Sequence, residues 1–171
     1  MEIEKEMQYS RICPVCRSVI RKKIYTSYEV TAPYEQFKTI NDLKERFSAV
    51  CPKCGYSIPL GFPFRYVDRL QHFDLFLVPN GYPSENEILN SLSEFDVNSG
   101  YITRLVSDDL ELFDKIRIFS AGLDDRVVEL CKVTVLGDYC ESNPKYAQLP
   151  LLRAQYFKHE KDNTEYSGAN I

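Results

Sequence analysis

Two pairs of cysteines carry the clearest chemical signal in the sequence. Each pair encloses a proline and one further residue, and the pairs are Cys13 with Cys16 and Cys51 with Cys54. A C-x-x-C segment lets the chain curl so that both sulfurs face one point, and two such segments complete the tetrahedral set of thiolates that holds a structural zinc ion. Such a site has no open position for water, which argues against a catalytic metal. We therefore predict one structural Zn²⁺ bound by all four cysteines.

The residues beside the cysteines fit this prediction unequally. Gly55 follows the second pair, at a position where the turn favours a positive φ, whereas Arg17 takes the matching position after the first pair. We therefore predict a less favourable backbone in the first turn. Four thiolates around a divalent ion leave an excess of negative charge, which Arg11, Arg17 and Lys53 can offset while they favour the thiolate forms.

A C-x-x-C pair is also the signature of thiol–disulfide oxidoreductases, so Cys13 and Cys16 define an enzymatic alternative. Redox motifs usually occur singly on a βαβ framework, whereas this sequence holds two matched pairs and no such framework. It also contains no glycine-rich phosphate loop, nucleophile elbow or H-E-x-x-H segment. We expect a non-enzymatic protein, and the oxidoreductase stays open as an alternative.

Composition indicates a soluble domain that keeps its thiols reduced. The 171 residues are 44% hydrophobic and 13% aromatic, which provides enough apolar surface for a packed core. The opening residues M-E-I-E-K-E are charged and do not form a signal peptide, and no apolar stretch is long enough to span a bilayer. We therefore expect a cytoplasmic protein without a membrane segment, whose six cysteines indicate metal ligands before disulfides.

A basic run near the first cysteine pair is the second candidate for function. It comprises Arg17, Arg21, Lys22 and Lys23, with Arg11 before it. Zinc ribbons often present such side chains to nucleic acid, where they contact phosphates, so a nucleic-acid-binding ribbon is an alternative function. The plainer interpretation is a solvated strand face that also balances the charge of the thiolates.

Charge is distributed unevenly along the chain. Residues 1–67 carry eleven basic and seven acidic side chains, residues 68–130 carry five and thirteen, and the remainder is balanced, for a net charge of −4. An acidic half opposes nonspecific binding to nucleic acid. Uneven charge and amphipathic helices favour a protein partner or self-association, so we expect an interaction module.

Hydrophobic periodicity predicts a mixture of strands and helices. The predicted strands cover 18–30, 58–66, 73–77, 101–106 and 149–159, and the predicted helices cover 34–47, a segment that starts at the capping box 84–87, 107–122 and 124–136. Asp124 and Asp125 are interpreted as residues of a helix start, and Cys131 as a buried residue of that helix. The polar tail after Glu160 is expected to be loose.

These elements predict an α+β fold. A zinc-ribbon-like β section with an inserted helix covers residues 1–80, and a helical section with a short C-terminal strand region covers residues 81–171. We expect the two sections to share one continuous core.

The doubled C-P-x-C motif, with glycine after its second copy, resembles the CpXC family of bacterial and archaeal proteins. The resemblance continues through residues 66–68, 76–79, 111–119 and 122–126, and it covers residues 9–135. It implies a prokaryotic protein with a zinc-ribbon-like fold and one zinc ion, and it implies no reaction. Residues after Cys140 fall outside the resemblance, so the predictions there rest on pattern alone.

Overall fold

The computed structural model of the protein describes residues 6–32, 36–79, 100–146, 153–158 and 165–170. Over these ranges the chain combines β-sheets with three α-helices, which confirms the predicted α+β class. The chain divides into two compact units, Met1–Leu112 and Phe113–Ile171. Each helix in the described ranges falls short of the length or the hydropathy that a transmembrane segment requires. The predicted helix that starts at Ser84 lies outside the described residues.

A two-stranded ribbon carries the first cysteine pair between its strands. Strands β1 (Glu6–Ile12) and β2 (Val19–Tyr25) are antiparallel. Successive side chains of a strand point to opposite faces, and in β2 one face buries Ile20 and Ile24 while the other face is exposed. The alternation predicted from the sequence is therefore confirmed for this strand.

The predicted strand over 18–30 divides into two strands in different sheets. Strand β3 (Ser27–Val30) leaves the ribbon and pairs in parallel with a later strand. The break lies at Thr26, whose carbonyl accepts a hydrogen bond from the backbone N–H of Arg65 in that second sheet. The prediction of one continuous strand was wrong because period-two alternation continues across a change of sheet.

An inserted helix connects the first ribbon to a second, shorter ribbon. Helix α1 (Gln36–Arg46) agrees with the helix predicted over 34–47, and Leu43 is fully buried on its inner face. Strand β4 (Ser48–Val50) follows directly and pairs with β5 (Ser57–Pro59) on either side of the second cysteine pair. Each cysteine pair therefore lies in the turn of its own antiparallel ribbon.

A four-stranded sheet forms the core of the first unit. Its strands are, in order across the sheet, β3, β6 (Phe64–Asp68), β7 (Phe73–Leu77) and β8 (Ile102–Val106). Strands β6 and β7 form the predicted hairpin, and every residue of both strands is buried. The strand predicted over 58–66 is interrupted before β6, because Pro63 has no N–H to donate to a sheet.

The charged residues of this buried hairpin have partners. Arg65 Nη2 lies 2.6 Å from Oδ2 of Asp74, and both side chains are buried. At the turn, Oδ1 of Asp68 accepts the backbone N–H groups of Leu70 and Gln71, each at 2.9 Å. Because an unpaired charge in this interior would be costly, these contacts fix the register of the hairpin and the conformation of its turn.

Two helices follow the sheet. Helix α2 (Asp109–Ser120) begins in the first unit and continues into the second, which also contains α3 (Asp125–Ser142). The helix predicted over 107–122 starts later, because the carboxylate of Asp108 accepts the backbone N–H of Glu111 at 2.9 Å and thereby caps the helix start. The Glu111 carboxylate in turn accepts the backbone N–H of Ser107 at 2.8 Å, which holds the chain that enters the helix.

Helix α3 confirms one predicted terminus and corrects the other. The carboxylate of Asp124 accepts the N–H of Arg126, which confirms the predicted helix start. The predicted end at Gly137 was wrong, and the helix continues to Ser142, because a single glycine inside a helix costs only about 1 kcal/mol. Cys131 was predicted to be buried in this helix, but it is exposed.

Ion pairs join α2 to α3 within the second unit. Lys115 Nζ lies 3.1 Å from a carboxylate oxygen of Asp125 and 2.7 Å from one of Glu129, and Lys132 pairs with Asp114 and Glu129. Burial opposes the charge of Lys115, but the hydrogen-bonded carboxylates prevail and raise its pKa. The lysine therefore stays charged, and its carboxylate partners compensate for its desolvation.

The C-terminal part of the chain contains a further pair of strands. Strands β9 (Arg153–Lys158) and β10 (Glu165–Asn170) are antiparallel. Strand β9 agrees with the strand predicted over 149–159, whereas β10 contradicts the expectation of a loose tail for residues 165–170. The segment E-Y-S-G-A-N is poor in residues that favour strands, so pairing with β9 rather than local propensity accounts for β10.

Lys22 connects the first ribbon to the end of α1. Its Nζ donates hydrogen bonds to the carbonyl oxygens of Glu45 and Ser48, each at 2.5 Å. The last carbonyls of a helix have no partner within the helix, and a positive charge there also complements the helix dipole. Burial lowers the pKa of this amine. Lys22 lies on the same face of β2 as the buried Ile20 and Ile24. We therefore assign it a structural role, which is to bind the end of α1.

We predict that Lys22→Met lowers the free energy of unfolding by about 1–2 kcal/mol, because hydrogen bonds from a charged donor to the helix end are lost. Lys23→Met is the matched control, since Lys23 pairs with Glu6 at the exposed surface, where solvent screening leaves such a pair little effect on stability. Urea unfolding followed by circular dichroism measures both values. Equal losses in the two variants would contradict the role of Lys22.

Candidate metal centre

The four cysteine sulfurs converge on one point. Sγ of Cys13 lies 3.6 Å from Sγ of Cys54, and Sγ of Cys16 lies 3.5 Å from Sγ of Cys51. All four sulfurs lie within 4.8 Å of one another. Metal–sulfur bonds of about 2.3 Å in a tetrahedral zinc site place the sulfurs about 3.8 Å apart. The donor set and its spacing therefore fit a single tetrahedral metal ion.

Two equivalent turns, one in each ribbon, place these sulfurs. In the first cysteine turn (residues 13–18), the backbone N–H of Cys13 donates to the carbonyl of Ser18 at 2.8 Å, and its carbonyl accepts the N–H of Arg17 at 3.0 Å. In the second cysteine turn (residues 51–56), the backbone N–H of Cys51 donates to the carbonyl of Tyr56 at 2.8 Å, and its carbonyl accepts the N–H of Gly55 at 2.9 Å. The repeated C-P-x-C sequence thus produces the same backbone turn twice.

The first cysteine turn has the less favourable backbone that the sequence predicts. Arg17 has a φ of +62°, and Gly55 at the equivalent position has a φ of +72°. Glycine adopts this region freely, whereas a residue with a Cβ loses about 1 kcal/mol or more there. A Cβ on Gly55 would meet no atom within 4 Å, so the requirement at this position is one of backbone conformation alone.

The cluster is buried on one side and open on the other. Cys13 and Cys51 are buried, Cys16 is half-buried and Cys54 is exposed. The hydroxyl of Ser18 lies 3.0 Å from Sγ of Cys16 and 3.1 Å from Sγ of Cys51. A hydroxyl donates its proton to a thiolate, so Ser18 stabilises the charged form of either sulfur.

Ionisation differs among the four thiols. The hydrogen bond from Ser18 lowers the pKa of Cys16, and it lowers the pKa of Cys51 to about 6. At Cys54 a hydrogen bond from the backbone of Tyr56 favours the thiolate, but desolvation and the neighbouring thiols prevail and raise the pKa to about 12. At neutral pH the cluster therefore presents Cys51 as a thiolate, whereas Cys54 must release a proton when a cation binds.

Ser18 is a residue of the site that the sequence did not predict. Its hydroxyl contacts Cys51 of the other ribbon, and the spacing of a C-x-x-C motif carries no information about such a contact. The one local feature that could have indicated this role is that the serine follows Cys16 by two residues. Serine is so common in turns that this feature does not distinguish a residue of a metal site from an ordinary turn residue.

Three of the five basic residues singled out in the sequence are engaged within the first unit. Arg11 Nη1 donates to the carbonyl of Pro59 at 3.1 Å, and Lys22 binds the carbonyls at the end of α1. Lys23 pairs with Glu6 at 2.8 Å. The basic run therefore does not form one continuous surface, because β2 directs its neighbouring members to opposite faces.

The other two basic residues are Arg17 and Arg21, and both are exposed. Lys53, in the second cysteine turn, is exposed as well. Within the part of the chain that the structure describes, these three side chains form no ion pair or hydrogen bond. They are consequently available to balance the charge of the thiolates or to meet an external partner.

Comparison with models of protein families matches residues 12–132 to the family described as CpXC protein. The matched region includes both cysteine turns, α1 and the four-stranded sheet, and it agrees with the resemblance that the doubled motif indicates. Comparisons with curated proteins and with solved structures found no match. The chain is a member of the CpXC family.

Proposed function

We propose that this CpXC protein is a non-enzymatic interaction module whose fold depends on one structural Zn²⁺ bound by Cys13, Cys16, Cys51 and Cys54. The observation that carries the proposal is the convergence of the four sulfurs within 4.8 Å. Thiolates are the preferred ligands of structural zinc, and four of them fill its coordination sphere. A metal with no open position supplies structural stability rather than a reaction.

The dimensions of the two ribbons support a structural role for the metal. Strands β4 and β5 have three residues each, and two-stranded ribbons are marginally stable by themselves. Zinc bound by four thiolates contributes on the order of 10–16 kcal/mol, which is comparable with the whole stability of a domain. A bound ion would therefore join the first ribbon to the second and fix α1 between them.

The arrangement of the sulfurs favours this function over a thiol–disulfide oxidoreductase. A redox C-x-x-C motif forms its disulfide within one pair. Here the contacts of 3.5 and 3.6 Å join Cys16 to Cys51 and Cys13 to Cys54, so each contact combines cysteines from different pairs. Four mutually close sulfurs are the geometry of a shared ion rather than of two independent dithiols.

We predict that the protein purified without chelator contains one zinc ion per chain and that Cys51→Ser weakens zinc binding about 100-fold or more, because a hydroxyl replaces one of four thiolates. Native mass spectrometry measures the stoichiometry, and competition with a chromophoric chelator measures the affinity. Cys131→Ser is the matched control, since Cys131 is an exposed thiol of α3. Metal-free protein with oxidised C-x-x-C pairs would contradict the proposal and favour the oxidoreductase.

We predict that Ser18→Ala lowers zinc affinity about tenfold or more at neutral pH, because the pKa of Cys51 rises from about 6 toward its ordinary value and protons then compete with the metal. The loss should be larger at mildly acidic pH and should shrink as the pH rises toward the ordinary thiol pKa of about 8.5. Ser18→Thr keeps the hydroxyl and is the control. The same chelator competition across pH tests this, and a pH-independent loss would contradict it.

A further inference from the structure

We propose that the first ribbon and the tips of the two cysteine turns form a docking site for an extended, acidic and aliphatic segment of a partner protein. This inference rests on the proposed role as an interaction module and names the chemistry of the partner. The site, called the turn patch below, consists of three aliphatic and three basic side chains. They are Ile12, Val15, Val19, Arg17, Arg21 and Lys53.

The aliphatic members of the turn patch are exposed although they belong to a small folded region. Ile12, Val15 and Val19 retain 60%, 61% and 53% of their accessible surface. Ile12 and Val19 stand opposite each other on β1 and β2, and Val15 lies in the turn between these strands. The packing of the ribbon uses its other face, where Ile20 and Ile24 are buried. An apolar group of this kind beside the metal centre is typical of an interaction site.

The basic members of the turn patch give it a positive charge. Arg17, Arg21 and Lys53 are exposed, and none of them pairs with an acidic side chain in the described residues. Lys53 and Val15 occupy the same position in the two cysteine turns, and the sulfurs beside them meet at 3.5 and 3.6 Å. The cluster thus brings the two cysteine turns together, and carboxylates of a partner are the groups complementary to these three cations.

The backbone at Arg17 supports a role for its side chain outside the fold. Its φ of +62° lies in the region that glycine adopts without strain, and the equivalent position of the second turn is Gly55. The chain therefore carries a cation where folding alone favours glycine. Strained residues of this kind are concentrated at binding sites, where the side chain has a function that offsets the strain.

The open edge of β1 indicates the conformation of the partner. Among the described strands β1 pairs with β2 alone, and six of its seven residues are exposed. An extended segment can add to such an edge through backbone hydrogen bonds, with its alternate side chains over the outer face. On that face Arg21 stands opposite Ser10, whose small side chain lets the guanidinium extend across β1 toward an added strand. Arg21 and Ile12 share this outer face, so the partner residues that lie over it, at every second position of the segment, have to include both acidic and aliphatic side chains.

The chemistry of the turn patch favours protein over nucleic acid. Proteins that bind single strands stack the bases mainly on aromatic rings, and the turn patch contains no aromatic side chain; its three aliphatic members Ile12, Val15 and Val19 have no π-face. Two further cations of the basic run are engaged, since Lys22 binds the end of α1 and Lys23 pairs with Glu6. A surface with three β-branched aliphatic side chains and few free cations is suited to an acidic polypeptide.

The test uses the whole protein, purified without chelator, and three fluorescein-labelled probes in anisotropy titrations. The first probe is a peptide of about ten residues in which every second position is in turn acidic (Asp or Glu) and aliphatic (Val or Leu), with threonine between them, so that one face of the extended peptide carries both classes. The second replaces each acid by Asn or Gln, and the third is an oligothymidine of similar length. We expect the acidic peptide to bind at least about tenfold more tightly than the other two probes.

Two double variants locate the binding. Arg17→Gly with Arg21→Gln removes charge and also relieves the backbone strain, and Ile12→Ser with Val19→Ser removes aliphatic surface that is already exposed. Each should weaken binding of the acidic peptide at least about tenfold, whereas the controls Lys23→Gln and Val133→Ser should change it less than about twofold. Val133 is an exposed aliphatic residue of α3.

Zinc content measured on every sample separates this inference from the proposed function. One zinc per chain without preference for the acidic peptide overturns the docking site and leaves the zinc module intact. Preference for the acidic peptide in a protein that binds no zinc overturns the zinc module and leaves the docking site intact. Tighter binding of oligothymidine than of the acidic peptide overturns the docking site in favour of nucleic acid.

Discussion

Four sulfurs from two separate ribbons share one small volume, and the arrangement of the first unit depends on this constraint. Thiolates at about 3.5 Å repel one another, and at Cys54 the neighbouring thiols act with desolvation to outweigh the hydrogen bond from the Tyr56 backbone and raise the pKa to about 12. In the proposed metal-bound state a divalent cation would remove this conflict by neutralising the charge of the cluster. The same cation would join two two-stranded ribbons, which are marginally stable by themselves.

The remaining contacts of the first unit position the ribbons around that cluster. Lys22 holds the end of α1 against the first ribbon, and β4 follows the helix directly, so the helix determines where the second cysteine turn lies. The buried hairpin of β6 and β7 provides the apolar core. Two of its buried residues, Arg65 and Asp74, are charged, and they form an ion pair with each other. Outside this packing the cysteine turns project side chains that the fold does not use, and these side chains are available for recognition.

Sequence reasoning succeeded where a local pattern has one physical cause. The doubled C-P-x-C motif indicated a common site, the alternation of Ile20 and Ile24 indicated a ribbon face, and Asp124 marked a helix start. It failed where distant pairing decides the outcome. Strand β3 leaves its ribbon for another sheet, β10 forms on β9 despite weak propensity, and α3 passes through Gly137. The hydrogen bond from Ser18 to Cys51 joins two ribbons, and no local pattern encodes it.

The central claim is that all four cysteines bind one zinc ion, and X-ray absorption at the zinc edge of the purified protein tests it most directly. The account predicts a single shell of four sulfur neighbours at about 2.3 Å, with no nitrogen or oxygen ligand. A mixed shell with fewer than four sulfurs would contradict it, because the metal would then retain an open or non-thiolate position. A metal with an open position could bind and activate water, so a catalytic role of the zinc would then have to be tested.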